Sequence, residues 1–308
     1  MTREDRRPAS GGPERAAAAE GARRRYDRVA TRSARAVIDG YSTSFGLSSR
    51  LLGPRVRGDV RNVYALVRVA DEVVDGTAAA AGLGPGDISR RLEELRDETR
   101  AALRTGYSAN LVVHAFALTA RRSGIDGELV EPFFDSMRAD ADGGPYDGSG
   151  LSRYIYGSAE VVGLMCLRVF VRDEARPAAA YAELSPGARR LGAAFQKVNF
   201  LRDLGADLDG LGRRYLGAAD PAALTERDKA RLLDDIDDDL AAAARAVDRL
   251  PRDCRVAVAA AHGLFAALSA ELRRIPAGRL REQRVRVSDP RKLAILAGCV
   301  LRGGRVAS

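Results

Sequence analysis

Between Tyr26 and about Gly303, apolar residues recur at intervals of three and four, and only short stretches rich in Gly, Pro and Asp interrupt them. This interval matches the turn of an α-helix, so each such segment can bury one helical face. Ala, Leu and Arg are abundant, tryptophan is absent, and β-branched residues are sparse outside a few Val-rich segments. These features favour helix over strand. The sequence therefore predicts an all-α fold in which residues 26–304 form a single domain.

The breaks in this pattern predict the helix boundaries. Interhelical loops are expected at 84–86, 143–150 and 218–221, where Gly, Pro or Asp occur. Residues 1–25 combine an Ala run with Arg, Glu, Gly and Pro and contain almost no bulky side chain, so they are predicted to be a disordered tail. Helices are predicted at 27–39, 56–76, 89–105, 109–123, 127–140, 151–172, 186–209, 222–249, 252–274 and 289–302.

Charge and cysteine content restrict the environment and the partners. A formal net charge of +8 suits diphosphates, phospholipid surfaces or nucleic acid. Nucleic acid is the least favoured of these, because the arginines are dispersed and Phe and Tyr fall in apolar stripes. The three cysteines lie far apart without C-x-x-C spacing, which indicates a reducing compartment and no structural zinc. With neither a secretory signal nor an apolar run of about 18 to 20 residues recognised, we expect a cytoplasmic protein.

A first acidic motif lies in the predicted helix 56–76, where Arg68 is followed by Asp71, Glu72 and Asp75, and Tyr64 precedes it by one turn. Asp71 and Asp75 are four residues apart, so their carboxylates project from one helical face and can share a cation. Oxygen donors without Cys or His favour a hard divalent ion such as Mg²⁺. A solvated helix face can have the same spacing, and both interpretations stay open at this point.

The acidic run at 234–239 shows how little this spacing means by itself. Five of its six residues are aspartates, and the four-residue interval occurs twice. No Arg, Asn or Gln is interleaved as a binding site would need. This run is therefore predicted to face solvent.

A second motif is more informative because it combines several kinds of polar side chain. Gln196, Asn199, Arg202, Asp203 and Asp207 stand at i, i+3, i+6, i+7 and i+11. On a helix these positions fall on or beside one stripe, while the other side carries Leu, Ala, Phe and Val. A surface stripe rarely needs Asn and Gln at such steps. The pattern therefore predicts the polar wall of an interior cavity.

Four blocks of the sequence, in this order, resemble the signatures of one enzyme family. They are Tyr-Ser-Thr-Ser-Phe at 41–45 with Arg50, the Asp motif at 68–75, the stretch 154–165 that begins Tyr-Ile-Tyr, and the stretch 191–207 with Gln-x-x-Asn-Phe-x-Arg-Asp. A C-terminal Arg-Val-Arg-Val-Ser at 284–288, with Lys292, agrees with them. By these motifs the chain resembles the squalene and phytoene synthases, which are head-to-head isoprenyl diphosphate synthases.

The resemblance implies one isoprenoid-synthase helical bundle around a central cavity, with the two Asp motifs facing each other. It implies that Mg²⁺, or Mn²⁺ in its place, binds the diphosphates of two prenyl substrates. The metal ligands implied are Asp71, Asp75, Asp203 and Asp207. The substrate-binding residues implied are Ser42, Ser44, Arg50, Arg68, Gln196 and Asn199. The catalytic residues implied are Tyr154, Tyr64 and Arg202.

The tyrosines and glycines of these blocks each have two interpretations. The ring faces of Tyr154 and Tyr64 would stabilise a carbocation in the cavity, and ordinary core packing with a satisfied hydroxyl is the alternative. Gly157, Gly163 and Gly192 are expected to permit close helix approach around the cavity, and a purely structural role is the alternative.

Four positions depart from the family pattern. Thr43 stands where many members have a basic residue, which weakens one phosphate contact. Glu72 replaces a common second Asp and is expected to face another side of the helix than the aspartate pair. Glu160 replaces a Gly and either reshapes the pocket or points outward. Phe265 stands where the family often carries a tyrosine.

Segment 195–203 is most similar to bacterial carotenoid enzymes, so the resemblance implies that two geranylgeranyl diphosphates condense to phytoene through prephytoene diphosphate. Such a reaction ends by proton loss, and no NADPH is expected. The alternative is a squalene, presqualene diphosphate or dehydrosqualene synthase that uses farnesyl diphosphate. A non-catalytic family member that serves as an assembly or scaffold protein is the alternative of a different class. The presence of all four motif aspartates argues against it.

The expected partners follow from this chemistry. They are prenyl diphosphate substrates, membrane lipid that receives the insoluble product, and downstream carotenoid enzymes, but not nucleic acid. We therefore expect a cytoplasmic protein bound peripherally at the inner face of the membrane.

Overall fold

The computed structural model describes residues 12–41, 44–143, 148–204, 224–282 and 284–306. Every regular element in these ranges is helical, which confirms the all-α prediction. They include a π-helical segment, Tyr156–Glu160, and a short 3₁₀ helix, Ala277–Arg279. The α-helices are α1 Gly12–Tyr41, α2 Ser44–Ser49, α3 Pro54–Val74, α4 Thr77–Ala80, α5 Pro85–Thr105, α6 Leu111–Ser123, α7 Gly127–Asp142, α8 Gly148–Ile155, α9 Val161–Val171, α10 Pro177–Arg202, α11 Glu226–Val247, α12 Arg252–Arg274 and α13 Asp289–Leu301.

Proline, glycine and asparagine define many of the helix ends. Pro54 and Pro85 occupy first turns, where a missing N–H costs nothing and the fixed φ suits the helix. Gly106 and Gly124 end α5 and α6 with φ of 77° and 68°, a conformation that glycine adopts without steric cost. Asn110 caps α6, because its side-chain oxygen accepts from two backbone N–H groups of the first turn.

Three predicted helices differ in extent or continuity, and α2 and α4 have no counterpart in the prediction. α1 begins at Gly12, within the segment predicted to be a disordered tail, because its Ala run has the highest helix propensity although residues 15–25 are exposed. α10 begins at Pro177 and continues through Pro186, where the predicted helix began. The predicted helix 151–172 is interrupted by the π-helical segment, a feature frequent at functional sites.

Two large apolar clusters form most of the core. The first joins α3, α5, α6, α7 and α9 and contains the fully buried Phe116, Phe133 and Phe134. The second joins α10, α11 and α12 to the segment that precedes α13. Helix α9 belongs to the first cluster and most of the buried residues of α10 in these clusters belong to the second, and these helices carry two of the family-like blocks.

The acidic run at 234–239 lies on α11, and the prediction that it faces solvent is wrong for Asp239. This side chain is fully buried and accepts hydrogen bonds from Arg190 at 2.5 Å and Lys197 at 2.7 Å, both on α10. Burial lowers the pKa of Lys197, but its hydrogen bonds to Asp235 and Asp239 outweigh burial and raise it. The run therefore forms an ion-paired seam between α10 and α11, which the acidic spacing alone did not reveal.

Two helical stretches, Ser149–Val171 and Arg252–Arg274, are long and apolar enough to cross a membrane, with mean hydropathies of 1.4 and 1.3. The prediction that no run is long and apolar enough to cross a membrane is wrong by these criteria. In each stretch 56% of the most apolar window is buried inside the structure. Core helices of this kind satisfy the same length and composition criteria, so the two stretches are weak evidence for a membrane span.

Candidate active site

A cavity of about 260 Å³ lies between α2, α3, the π-helical segment, α9, α10, α11 and α12. Its walls are almost entirely aliphatic, aromatic or small side chains. Helix α3 contributes Val60 and Val67, and α10 contributes Leu191 and Phe195. The structure thus contains a central apolar cavity bounded by both motif-bearing helices, as the fold prediction required.

The helices around the cavity approach closely at glycines. A Cβ atom on Gly192 would lie 2.7 Å from the carbonyl oxygen of Ala159, and one on Gly163 would lie 2.9 Å from that of Ala188. Both distances are too short for a real side chain, which confirms the expected role of these glycines. These contacts also give the relative direction of the two helices. Residue 159 meets residue 192, whereas the later residue 163 meets the earlier residue 188. Helices α9 and α10 are therefore antiparallel.

Helix α3 is also antiparallel to α9. Arg55, in the first turn of α3, donates to the carbonyl of Phe170 at 2.9 Å, and Arg172 just beyond α9 pairs with Asp59. The start of α3 thus meets the end of α9. Because α3 and α10 both run opposite to α9, they run in the same direction, and their C-terminal ends lie at the same end of the bundle.

Each acidic motif continues the cavity wall by one helical turn. Asp71 follows Val67 by four residues on α3, and Asn199 follows Phe195 by four residues on α10. Since the two helix ends lie at one end of the bundle, both motifs lie at the same end of the cavity. The structure therefore combines an apolar chamber with a polar end.

The first motif is organised around Arg68. Its guanidinium stacks over the ring of Tyr41, 4.6 Å from the centroid, pairs with Glu72 and lies 4.0 Å from the carboxylate of Asp71. Its Nε is buried and has no hydrogen-bond partner in the part of the chain that the structure describes. Asp75 is exposed and ends α3, with its backbone N–H donating to the Asp71 carbonyl at 2.7 Å. This end of α3 therefore presents a buried N–H donor beside carboxylates that solvent can reach.

The second motif is organised around Asp203, at the C-terminal cap of α10. Its carboxylate accepts from Arg202 Nε at 3.0 Å and from Arg284 Nε at 2.8 Å. Arg284 belongs to the C-terminal block of the family resemblance, but no role was assigned to it from the sequence. No local spacing relates positions 203 and 284, so only the fold brings these two residues together.

The amide residues of α10 lie between the cavity and Asp203. Gln196 and Asn199 are both partly buried. The side-chain oxygen of Asn199 is buried and has no hydrogen-bond partner among the described residues. A buried acceptor without a donor is costly, and a ligand with a donor group at this end of the cavity would satisfy it.

The two predicted tyrosines differ in their surroundings. Tyr154 is 5% exposed, its ring packs against Phe200 at 6.1 Å, and its hydroxyl donates to the buried carboxylate of Asp140 at 2.9 Å. The hydroxyl is thus turned toward α7, and Asp140 is a partner that the sequence analysis missed. Tyr64 lies on α3 between the cavity-lining Val60 and Val67 and is partly buried.

The remaining predicted site residues belong to the block at 41–50 and to the end of the second motif. Ser42 and Asp207 lie outside the described residues. Ser44 is the first residue of α2, but the structure describes only its backbone. Arg50 follows α2 and is exposed. Helix α2 does border the cavity, through the serines at positions 48 and 49.

The donor set fits a hard divalent cation that binds together with a diphosphate. Within the described residues no three His, Cys, Asp or Glu side chains cluster into a ready-made metal site. The carboxylates of Asp71, Asp75 and Asp203 and the side-chain oxygen of Asn199 nevertheless lie at one end of the cavity. Mg²⁺ is usually held by one or two carboxylates plus substrate phosphates rather than by a complete protein cage. These residues therefore suit Mg²⁺ only in combination with an oxygen-rich ligand.

Two departures from the family pattern have clear structural outcomes. Glu160 pairs with Arg189 of α10 at 2.6 Å, and the Arg189 guanidinium lies over the ring of Tyr156 at 5.1 Å. The side chain of Glu160 is only 15% exposed and does not line the cavity, so the ion pair holds it against α10 rather than in the pocket. Phe265 stacks on Phe195, with ring centroids 3.8 Å apart, and adds an apolar surface behind the cavity wall where a tyrosine would offer a hydroxyl.

Comparison with known proteins adds independent information. The family model "Squalene/phytoene synthase" matches residues 38–291. The chain is 30% identical to a 15-cis-phytoene synthase of a Paracoccus species, covering 86% of this chain and 88% of the relative. It is also 30% identical to a phytoene synthase of Rhodobacter capsulatus, covering 87% of this chain and 80% of the relative.

Solved structures agree with the fold. A dehydrosqualene synthase with a bound ligand superposes with a TM-score of 0.73 at 22% identity, covering 90% of this chain and 97% of that one. A squalene synthase from Alicyclobacillus acidocaldarius superposes with a TM-score of 0.68 at 21% identity, covering 80% and 94%. From the motifs, the helical bundle and these matches, the chain belongs to the squalene/phytoene synthase family of prenyltransferases.

Proposed function

We propose that this chain is a phytoene synthase that condenses two geranylgeranyl diphosphates head to head, through prephytoene diphosphate, in carotenoid biosynthesis. The observation that carries the proposal is the juxtaposition of both acidic motifs at one end of an apolar cavity. The likeness to bacterial phytoene synthases supports the C20 substrate, since both relatives described above carry that name.

The polar end of the cavity would bind the diphosphates. Arg68 has a buried Nε available as a donor, and Arg284 and Arg202 lie at the second motif, so cationic donors stand on both sides. Gln196 and Asn199 would orient the phosphate oxygens. Bound Mg²⁺, or Mn²⁺, at Asp71, Asp75, Asp203 and Asp207 would supply positive charge that stabilises the departing diphosphate.

The apolar walls would protect the allylic cation that remains. Dry aliphatic walls exclude water, which would otherwise capture the cation. Cys166 is the strongest intrinsic nucleophile among the wall residues, but burial raises the pKa of its thiol to about 12. At neutral pH it is therefore the unreactive neutral thiol rather than the thiolate.

The reaction would end by loss of a proton, so no NADPH is needed. The long hydrocarbon product is insoluble, and we therefore propose a cytoplasmic enzyme bound peripherally at the inner membrane face. From there it would pass its product to downstream carotenoid enzymes. The basic charge is assigned to diphosphates and membrane lipid, not to nucleic acid.

Condensation of two farnesyl diphosphates is the second candidate. One relative, 26% identical over 59% of this chain, is a 4,4'-diapophytoene synthase, and the ligand-bound structural neighbour is a dehydrosqualene synthase. The polar end of the site would serve both substrates equally, and only the usable length of the cavity separates them.

A product assay tests the proposal directly. Purified protein is incubated with Mg²⁺ and either geranylgeranyl or farnesyl diphosphate, with and without NADPH, and the hydrocarbons are extracted for mass analysis. Phytoene from the C20 substrate without NADPH is the expected result. A C30 product instead would assign the chain to the squalene or dehydrosqualene branch, and no product from either substrate would support a non-catalytic scaffold role.

Substitutions of the motif aspartates test the assignment of the site. Asp71→Asn and Asp203→Asn are each expected to lower kcat by about a hundredfold or more, because each removes charge that binds the metal and diphosphate. Asp87→Asn and Asp234→Asn, at exposed ion-paired positions on α5 and α11, are the matched controls and should retain activity. Thermal unfolding of all four variants checks that they are folded. Full activity in either motif variant contradicts the assignment.

A further inference from the structure

Helix α13 carries an apolar stripe that is largely exposed in the part of the chain that the structure describes. Leu293, Val300 and Leu301 are 62%, 52% and 87% exposed, and Ala297 between them is exposed as well. Positions 293, 297, 300 and 301 lie on one helical face. The opposite side of α13 already packs against α12 through Ile295 and Cys299, so the stripe is a second apolar surface.

The C-terminal end of this stripe is basic. Arg302 and Arg305 are exposed and form no ion pair within the described residues. Arg255 of α12 lies beside them and donates to the carbonyl of Gly303 at 3.1 Å. The carboxylate of Asp248 lies nearby and accepts a hydrogen bond from the backbone N–H of Val306. Arg302 and Arg305 therefore follow Leu301, the last residue of the stripe, at the end of α13, while Arg255 lies on the side of α12.

The segment before α13 connects this surface to the candidate active site. Val285 and Val287 are buried in the cluster formed by α10, α11 and α12. Arg284 and Arg286, which alternate with them along the chain, are exposed. Arg284 also binds Asp203 of the second motif. The stripe thus begins five residues after a segment whose arginine contacts the polar end of the cavity.

We propose that the α13 stripe, defined by Leu293, Ala297, Val300 and Leu301, is the surface by which the protein docks on an anionic phospholipid membrane. An amphipathic helix with exposed leucines and flanking arginines binds such a surface by burying its apolar face among the acyl chains while its cations contact the phosphates. The inference that docking serves release of a hydrocarbon rests on the proposed function. The docking itself is testable without any turnover.

Charge complementarity decides between a membrane and a second copy of the chain. A two-fold contact through this one helix would bring the arginines at the end of one stripe close to those of the other if the helices were parallel, or close to Arg291 and Lys292 of the other if they were antiparallel. No carboxylate on the stripe would compensate them, so self-association through it is opposed by like charge. An anionic lipid surface offers both an apolar layer and the opposite charge.

Vesicle flotation of the full-length protein is the test. One set of vesicles contains equal parts of phosphatidylglycerol and phosphatidylcholine, and the other contains phosphatidylcholine alone. The wild type should float with the anionic vesicles, and increasing salt should weaken this binding because it screens the arginines. Leu293→Gln/Leu301→Gln should lower the ratio of bound to free protein by about tenfold or more, because two leucines no longer enter the acyl region.

Matched variants separate the apolar contribution to vesicle binding from the electrostatic contribution. Val29→Gln removes an exposed apolar residue from α1 and should float like the wild type. Arg302→Gln/Arg305→Gln should lower binding to the anionic vesicles by about tenfold or more. Arg104→Gln/Arg227→Gln, the same charge change at exposed positions on α5 and α11, should bind like the wild type.

The proposal has defined failures. It is overturned if the wild type does not bind the anionic vesicles, or if the leucine double variant binds them as well as the wild type. It is also overturned if light scattering shows a dimer that the same double variant converts to a monomer. Prenyl transfer from detergent-solubilised substrate should be unchanged in the leucine double variant. Loss of the product in the wild type would refute the proposed function and leave the docking result unaffected.

Discussion

Gly157 should tolerate no side chain, although it lies in a helical segment where alanine is intrinsically preferred. A Cβ atom at this position would lie 2.1 Å from the carbonyl oxygen of Pro132 and 2.1 Å from the hydroxyl oxygen of Ser136, both on α7. The serine hydroxyl can rotate, but the carbonyl belongs to the backbone. To reach even the shortest contact that real side chains make, α7 and the π-helical segment must separate by about 1 Å.

The expected change in the free energy of unfolding is compared with that at a glycine where an added Cβ atom meets no neighbour. In Gly157→Ala the forced separation is expected to lower the free energy of unfolding by about 3 kcal/mol, the upper part of the usual range for overpacking, because the contact is with backbone. In Gly58→Ala, on α3, the added Cβ meets nothing within 4 Å in the described structure. There the substitution should raise the free energy of unfolding by about 0.5 to 1 kcal/mol, because it restricts the unfolded chain.

Urea unfolding followed by far-UV circular dichroism measures both variants against the wild type. The same chemical change should shift the midpoint to lower urea for Gly157→Ala and to higher urea for Gly58→Ala, with equal slopes. If Gly157→Ala unfolded at the wild-type midpoint, the close approach of α7 to the π-helical segment would be refuted, and with it the proposed cause of the local geometry around Tyr154.

Two further predictions concern buried and bridging polar groups. Tyr154→Phe removes the hydroxyl that donates to the buried Asp140, so the free energy of unfolding should fall by about 1 to 3 kcal/mol, and Tyr154→Phe/Asp140→Asn should recover part of that loss in thermal unfolding. Hydrogen bonds from Arg100 and Arg96 hold the pKa of Glu131 at about 2, well below its usual range. A depressed carboxyl pKa contributes stability above about pH 4.5 that is lost as the pH falls toward 2. Glu131→Gln should therefore cost about 1 kcal/mol at pH 7, with the difference from wild type vanishing near pH 2; a constant difference across this range would contradict the ion-pair assignment.

The helical fold and the site-bearing segments could be predicted because they are written in local periodicity. Apolar residues at intervals of three and four specify helix faces wherever they occur, so most predicted helices agree with the structure to within a few residues. The spacing of Asp71 and Asp75, and of Gln196 and Asn199, similarly fixes which residues share a helical face. Helix α1 differed because propensity alone extends it beyond the residues that pack.

Periodicity did not reveal which face meets which neighbour. Asp239 belongs to a run that looks solvated, yet Lys197 and Arg190 of another helix meet it in the core. Asp140 attracted no attention in the sequence, yet it receives the hydroxyl of Tyr154. In each case the partner lies many residues away, and the contact depends on how helices are oriented rather than on any spacing within one of them.

The sequence by itself determined the all-α class, the two acidic motifs and the family to which they belong, because these depend on residues close together along the chain. Only the tertiary structure decided that α3 and α10 run in the same direction and that Arg284 binds Asp203. It alone decided that Glu160 pairs with Arg189 and that the stripe on α13 is exposed among the described residues. These outcomes depend on the packing of whole helices, where burial and close approach between distant segments select one arrangement among many that the same local pattern allows.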